Sequence, residues 1–207
     1  MPTAQLRRSS LALSFASAVV VLALAAPAGA GAPSCAATPL SGCRATTVPA
    51  QSRLWLNNRS VNDRDSIVWK QRRGAANTTA DFGNPVDAHG YALCMYNAGG
   101  SLVFHGTIPS GGTCGARPCW RTAAAGYHYR NGKATPNGLT KVLLRAGDAG
   151  HASVVVKGRG ASLGLPAMPL TLPVTIQLQE ESGPCWASTF ESARRNDAAR
   201  FRASAAH

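Results

Sequence analysis

Asn57, Asn58, Asn62, Asp63 and Asp65 crowd one stretch of the chain, and Asp81, Asn84 and Asp87 crowd the next. Side-chain oxygens at this density are the ligands calcium takes, so Asp63, Asp65, Asp81 and Asp87 are a candidate Ca²⁺ set, provided the two stretches meet in space. Turns favour the same residues without a metal, and Arg59 and Arg64 inside the first stretch oppose a cation. The turn reading is preferred, and no metal or cofactor is expected. His89, His105, His128, His151 and His207 show no zinc-ligand spacing. Asp81-Phe82-Gly83 matches the kinase metal-binding triplet in letters only, without a glycine-rich phosphate loop or a catalytic loop, and reads as a turn into Gly83-Asn84-Pro85.

Nucleophilic chemistry is poorly served. There is no Gly-x-Ser-x-Gly elbow, Glu180 and Glu181 are adjacent and so point apart on a strand, and Gly158-Arg159-Gly160 lacks the third glycine of a dinucleotide fingerprint. A hydrolase would have to gather dispersed groups from Asp63, Asp65, Asp81, Asp87, His105 and His128. Binding is better served. Tyr127, His128 and Tyr129 lie close to Arg121 and Arg130, the mixture that holds sugars or polyanions through ring stacking and cation contacts. Tyr127 and Tyr129 would share one strand face, and core and platform are equally open readings of that face.

The elements that position these residues are short. Runs rich in β-branched and aromatic residues recur every eight to fifteen positions, separated by Gly, Pro and Asn, as in an antiparallel sandwich or barrel. Val174, Ile176 and Leu178 alternate with Thr175, Gln177 and Gln179, a strand with one buried and one wet face. Further strands are expected over residues 53–56, 66–70, 91–96, 102–108, 126–130, 139–145, 152–157 and 186–190. Turn chemistry at Asn97–Gly100, Asn131-Gly132 and Asp148–Gly150 predicts three hairpins. Residues 163–173 carry Pro166, Pro169 and Pro173 and should form an extended connector. Only residues 191–202 have a helical look, that of a short exposed helix. Trp120 and Trp186, each in a Pro-Cys-Trp triplet, are expected to pack on their disulfides in the core.

Arg7 and Arg8, an apolar run over about residues 11–26 and Ala28-Gly29-Ala30 have the layout of a cleavable export signal over residues 1–30. No later segment is apolar enough to cross a membrane. Of 21 Lys and Arg in the chain, Arg7 and Arg8 lie in the signal, which leaves 19 against 9 acidic residues. Such a surplus attracts polyanions, although no block of like charge marks a site. Cys35, Cys43, Cys94, Cys114, Cys119 and Cys185 all follow the signal, an even count that implies three disulfides in an oxidising compartment. Spacing favours Cys35 with Cys43 and Cys114 with Cys119 as local loops, leaving Cys94 with Cys185 as a long staple.

The strings DFGNP, YALCMYN, PSGGTCGARPCW, GYHYR and VTIQLQEESGPCW, spread from about Cys43 to Trp186, resemble a recurrent family of exported bacterial proteins of uncharacterised function. The resemblance implies a single cysteine-bridged β-domain outside the cytoplasm and carries no activity or catalytic residue with it. The expected product is an all-β protein, a single antiparallel β-sandwich of about eight to ten short strands with three disulfides. Its expected layout is a signal peptide over 1–30, an arm with a local disulfide over 31–50, the sandwich over 51–190 and a tail over 191–207. Its expected role is a secreted or periplasmic, non-catalytic module that binds an anionic glycan or another polyanion through Arg121, Tyr127, His128, Tyr129 and Arg130. The rivals are a secreted hydrolase and a structural subunit of the cell envelope.

Overall fold

Alternation of apolar and polar side chains builds fourteen strands among the described residues: β1 (Ser52–Asn57), β2 (Ser66–Gly74), β3 (Tyr91–Tyr96), β4 (Leu102–Ile108), β5 (Thr113–Cys114), β6 (Arg117–Pro118), β7 (Trp120–Ala123), β8 (Gly126–Arg130), β9 (Leu139–Arg145), β10 (Ala152–Arg159), β11 (Val174–Glu180), β12 (Cys185–Phe190), β13 (Arg195–Asp197) and β14 (Arg200–Ser204). The structure, a computed structural model, describes residues 32–205 together with Met1; the signal expected over residues 1–30 otherwise falls outside the described residues. The strands form an eight-stranded sheet in the order β13-β14-β1-β2-β10-β9-β8-β7, a four-stranded sheet in the order β12-β11-β3-β4, and the small β5-β6 hairpin. Every strand pair is antiparallel. The fold is the expected all-β one. The count exceeds the expected eight to ten because β5, β6, β7 and β13 are too short to show a period and β14 lies where a short helix was expected. The three hairpins expected from turn chemistry form, as β3-β4, β8-β9 and β9-β10.

The inner faces of the two large sheets share one core. Leu54, Leu56, Ile67, Trp69, Val142, Val154 and Val156 come from the larger sheet, and Tyr91, Leu93, Met95, Ile176, Leu178 and Trp186 from the smaller. Trp120 and Trp186 are both buried, with aromatic neighbours: Trp186 stacks on Phe82 at 5.0 Å, and Trp120 lies 5.7 Å from Tyr91 and 5.2 Å from Tyr129. Phe82, from the Asp-Phe-Gly triplet, thus serves as core filling behind a turn. Polar stitches fix how the sheets sit together. Ser52 and Ser188 hydroxyls meet at 2.6 Å and both accept from the Trp69 indole N–H, while the Gln71 amide donates to the Arg44 and Ala187 carbonyls. Burying such groups costs little only because each finds a partner.

The N-terminal arm departs from expectation. It does not close on itself; Cys35 is bridged to Cys94 and Cys43 to Cys185, and only Cys114–Cys119 is the expected local clip. The reason lies on the outer face of the smaller sheet, where Ala92, Cys94, Tyr96, Gln177 and Gln179 need cover and hydrogen-bond partners. The arm crosses this face as a strap. Gln179 accepts from the Ala36 N–H, Gln177 accepts from the Leu40 N–H and donates to the Leu40 carbonyl, and the Tyr96 hydroxyl donates to the Ala36 carbonyl. Cys94 lies on β3 and Cys185 on β12, with β11 between them, so a strap that crosses the face brings Cys35 and Cys43 to separate partners instead of to each other.

The C-terminal segment is the second departure. Residues 191–202 do not form the expected short helix; they supply β13 and β14, and β14 pairs with β1 along its whole length. Ala203 and Ala205, just beyond that segment, are inner-face filling beside Phe201. Pairing also covers the edge that β1 would otherwise leave open. Strap, sheets and C-terminal strands belong to one compact unit.

Candidate functional site

Because successive strand side chains point to opposite faces, burying Leu54 and Leu56, or Val154 and Val156, forces their neighbours out. Cross-strand register then sets the outward side chains in rows. One row runs from β13 to β8 as Arg195, Arg202, Trp55, Val68, Lys157, Lys141 and Arg130, each directly opposite the next. At the usual strand spacing of about 4.8 Å, its six intervals cover ~29 Å. A second row runs Arg53, Lys70, Val155, Leu143, His128 and Arg121. Arg200 and Arg159 lie in a third row on one side, with Arg72 and Arg145 on the other side.

One face of one sheet therefore collects most of the basic residues that follow the signal. Asp197 is the one carboxylate in these rows, and it is engaged by Arg195 and by the Ala199 and Arg200 N–H groups. Like charges directly opposite on neighbouring strands destabilise a sheet. Lys157 opposite Lys141 and Arg195 opposite Arg202 are hence arrangements that folding alone does not favour. The Lys70 ammonium is held below its ordinary value first by burial and then by Lys157, Arg72 and Arg53. It sits 4.9 Å from the centre of the Trp55 ring, a cation–π contact that occupies the aromatic of the first row.

The residues singled out in the sequence divide between two sides of β8. Tyr129 is buried at 3% exposure, its hydroxyl accepting from the Asn131 amide, and Tyr127 packs against the core. Tyr129 is core, with Trp120 beside it, whereas Tyr127 is half-buried and borders a depression. Arg121, His128 and Arg130 are on the outward side and join the rows described above.

The carboxylates of the candidate calcium set are spent locally. Asp65 accepts from the Arg59 N–H; Asp81 accepts from the Thr78 N–H and hydroxyl and pairs with Arg44 at 2.9 Å; Asp87 accepts from the Asn84 amide. The Thr78 N–H first, and Arg44 after it, hold the Asp81 carboxyl below its ordinary value. Among the described residues no three His, Cys, Asp or Glu side chains gather where one cation would reach them. The two acidic stretches serve separate turns, so the calcium set does not assemble. His89 accepts from the Asn84 N–H inside the same turn. His105 lines a shallow depression beside Asn137, and His128 lines a different one beneath Arg145, so the dispersed acids and histidines are not brought into one cleft there.

His128 reports on the field of the face. Burial first, and then Arg130, Arg121 and Lys141, lower its imidazole below the ordinary value. Protonation is thus harder in the folded than in the unfolded chain, so this contribution to stability is present above pH ~6.5 and lost as pH falls through the lowered folded value. Titration of the His128 ring signals by NMR is expected to give a midpoint below ~6.5; a midpoint at or above it would show that burial and the neighbouring cations do not bear on the ring.

These features define an all-β, three-disulfide protein with a cationic outer sheet face. Compared with models of protein families, with curated proteins and with solved structures, the chain matches none.

Proposed function

We propose that the protein works outside the cytoplasm as a non-catalytic module that binds a flexible linear polyanion, an anionic glycan chain, across the outer face of its larger sheet. The observation that carries the reading is the cross-strand row from Arg195 to Arg130, held in register against its own repulsion. The occupant follows from the shape of such a row. Neighbouring strands are rotated by about 20°, so a row over seven strands turns through roughly 120°. A polymer that follows it must bend within ~29 Å, which a DNA duplex with its persistence length of about 50 nm does not do. Single-stranded nucleic acid would want exposed rings to stack its bases on; Trp55 is covered by Lys70, Tyr129 is buried and Tyr127 is half-buried against the core. A chain with regular carboxylate or sulfate groups needs only the cations. Export follows from the signal-like start and is supported by three disulfides and by the absence, among the described residues, of a helix long and apolar enough to cross a membrane.

Titration against a carboxylated glycan, a sulfated glycan, duplex DNA and vesicles of anionic lipid, at two salt concentrations, tests this. The expected result is salt-sensitive binding that is tightest for a flexible glycan. Equal or tighter binding of duplex DNA or of vesicles would replace the occupant, and no salt-sensitive binding to any of the four would remove the reading.

A further inference from the structure

The basic face contains a feature that a uniform row does not require. Where β2 runs beside β10, Ala152 pairs with Gly74 and Val154 with Gln71, so Arg72 and Arg73 together stand opposite the single residue Ser153. This is a β-bulge, a device that re-aims a side chain. Its cost is visible at Arg73, whose φ of +48° is a backbone conformation that residues other than glycine rarely adopt. The bulge is pinned from outside the sheet. The Thr47 N–H and hydroxyl donate to the Arg73 carbonyl at 2.8 and 2.9 Å, and the Thr46 hydroxyl lies 3.0 Å from the Arg72 carbonyl. Without it, alternation would turn one of two consecutive arginines away; with it, both are exposed and both border one depression of about 950 Å³. Arg145, directly opposite Ser153 on the neighbouring β9, is the third guanidinium on its border. Away from these three, an apolar part formed by Leu143, Val155 and the alanines of the β7-β8 turn lies beside Tyr127, His128, His151 and Ser153.

From this geometry we infer that the depression is a binding site for a small amphipathic anion, a phosphate monoester or carboxylate bearing an aliphatic body. Arg72, Arg73 and Arg145 hold the anionic head by charge-assisted hydrogen bonds, and Leu143 and Val155 take the aliphatic part. The inference shares the basic face with the proposed function but does not depend on a polymer. The distant Lys141, Lys157 and Arg202 can be neutralised without touching the three guanidinium groups, because charges further apart than about 8 Å are screened in physiological salt.

The test is calorimetric titration of the full chain with octyl phosphate below its micellar concentration, with ethyl phosphate as the same head lacking the body. Each buried methylene is worth roughly fourfold in affinity, so octyl phosphate is expected to bind at least tenfold more tightly than ethyl phosphate. Arg73→Gly keeps the left-handed backbone without strain and removes one guanidinium. It is expected to weaken octyl phosphate about tenfold with an unchanged or higher thermal midpoint, and Arg145→Gln should weaken it similarly without altering the bulge. A Lys141→Gln, Lys157→Gln, Arg202→Gln variant should retain octyl phosphate, which separates this site from the polymer reading. Phosphatidic acid vesicles tell a lipid headgroup source from a free ligand: binding to monomer and vesicle assigns the former, and binding to monomer alone the latter. Equal affinity for the two phosphates, or full affinity in both Arg73→Gly and Arg145→Gln, overturns the inference.

Discussion

Neutralising Lys141, Lys157 and Arg202 together with glutamine is expected to weaken glycan binding by one to two orders of magnitude at low salt. It should also flatten the slope of log K against log salt by about 2, from ~0.7 per lost contact on a single-stranded polyanion. The three are consecutive cations of the first row apart from Trp55 and Val68, so the loss interrupts the row at its centre. Arg59→Gln, Arg64→Gln and Arg117→Gln remove the same charge from the β1-β2 connection and the β5-β6 hairpin, off the sheet face. If attraction came from net charge alone, both variants would lose affinity equally. If the row is the site, the second loses little, because exposed charges beyond a Debye length are screened. Removing three repelling cations should also leave thermal stability unchanged or raised. Equal losses in the two variants would sink the row as the binding element and leave only a basic protein.

Replacing Cys43 and Cys185 together by serine should produce the largest stability loss of any change outside the core. With Cys35–Cys94 intact, the shortest path that the Cys43–Cys185 bridge closes is about 100 residues, worth 4 to 5 kcal/mol by chain entropy. That is a large part of the 5–15 kcal/mol typical of a whole domain. The same bridge holds the end of the strap over the smaller sheet, where the Arg44 N–H donates to the Cys185 carbonyl and the Ala187 N–H to the Arg44 carbonyl. Urea unfolding of the double variant beside the native chain measures the loss. A loss below about 2 kcal/mol, or peptide mapping that joins Cys35 to Cys43, would show that the strap is not anchored at both ends.

Much of the scaffold is legible in the residues themselves. Each of the nine strands expected from the residues lies where its apolar period or its β-branched and aromatic run places it, and the β3-β4, β8-β9 and β9-β10 turns announce themselves through Asn, Asp and Gly. Those signals are local: a strand's period and a turn's φ depend on a few neighbouring residues. Even the raw material of the site is in the letters, since Lys70 and Arg72, Lys157 and Arg159, or Arg200 and Arg202 recur at spacing two. Spread along the chain, they read as scattered charge.

What the sequence by itself determined is therefore the class: short antiparallel strands, one local disulfide clip and a cation surplus with an even number of cysteines. The tertiary structure decided three things. It paired Cys35 with Cys94 and Cys43 with Cys185, because a strap is placed by the polar face it covers and not by the spacing of its cysteines. It made residues 195–204 strands, because β1 offered an edge that no local propensity reveals. It also turned Arg195, Arg202, Lys157, Lys141 and Arg130 into one row, because register between strands distant in sequence is fixed by the shared core beneath them, and the cations follow wherever burial of their neighbours sends them.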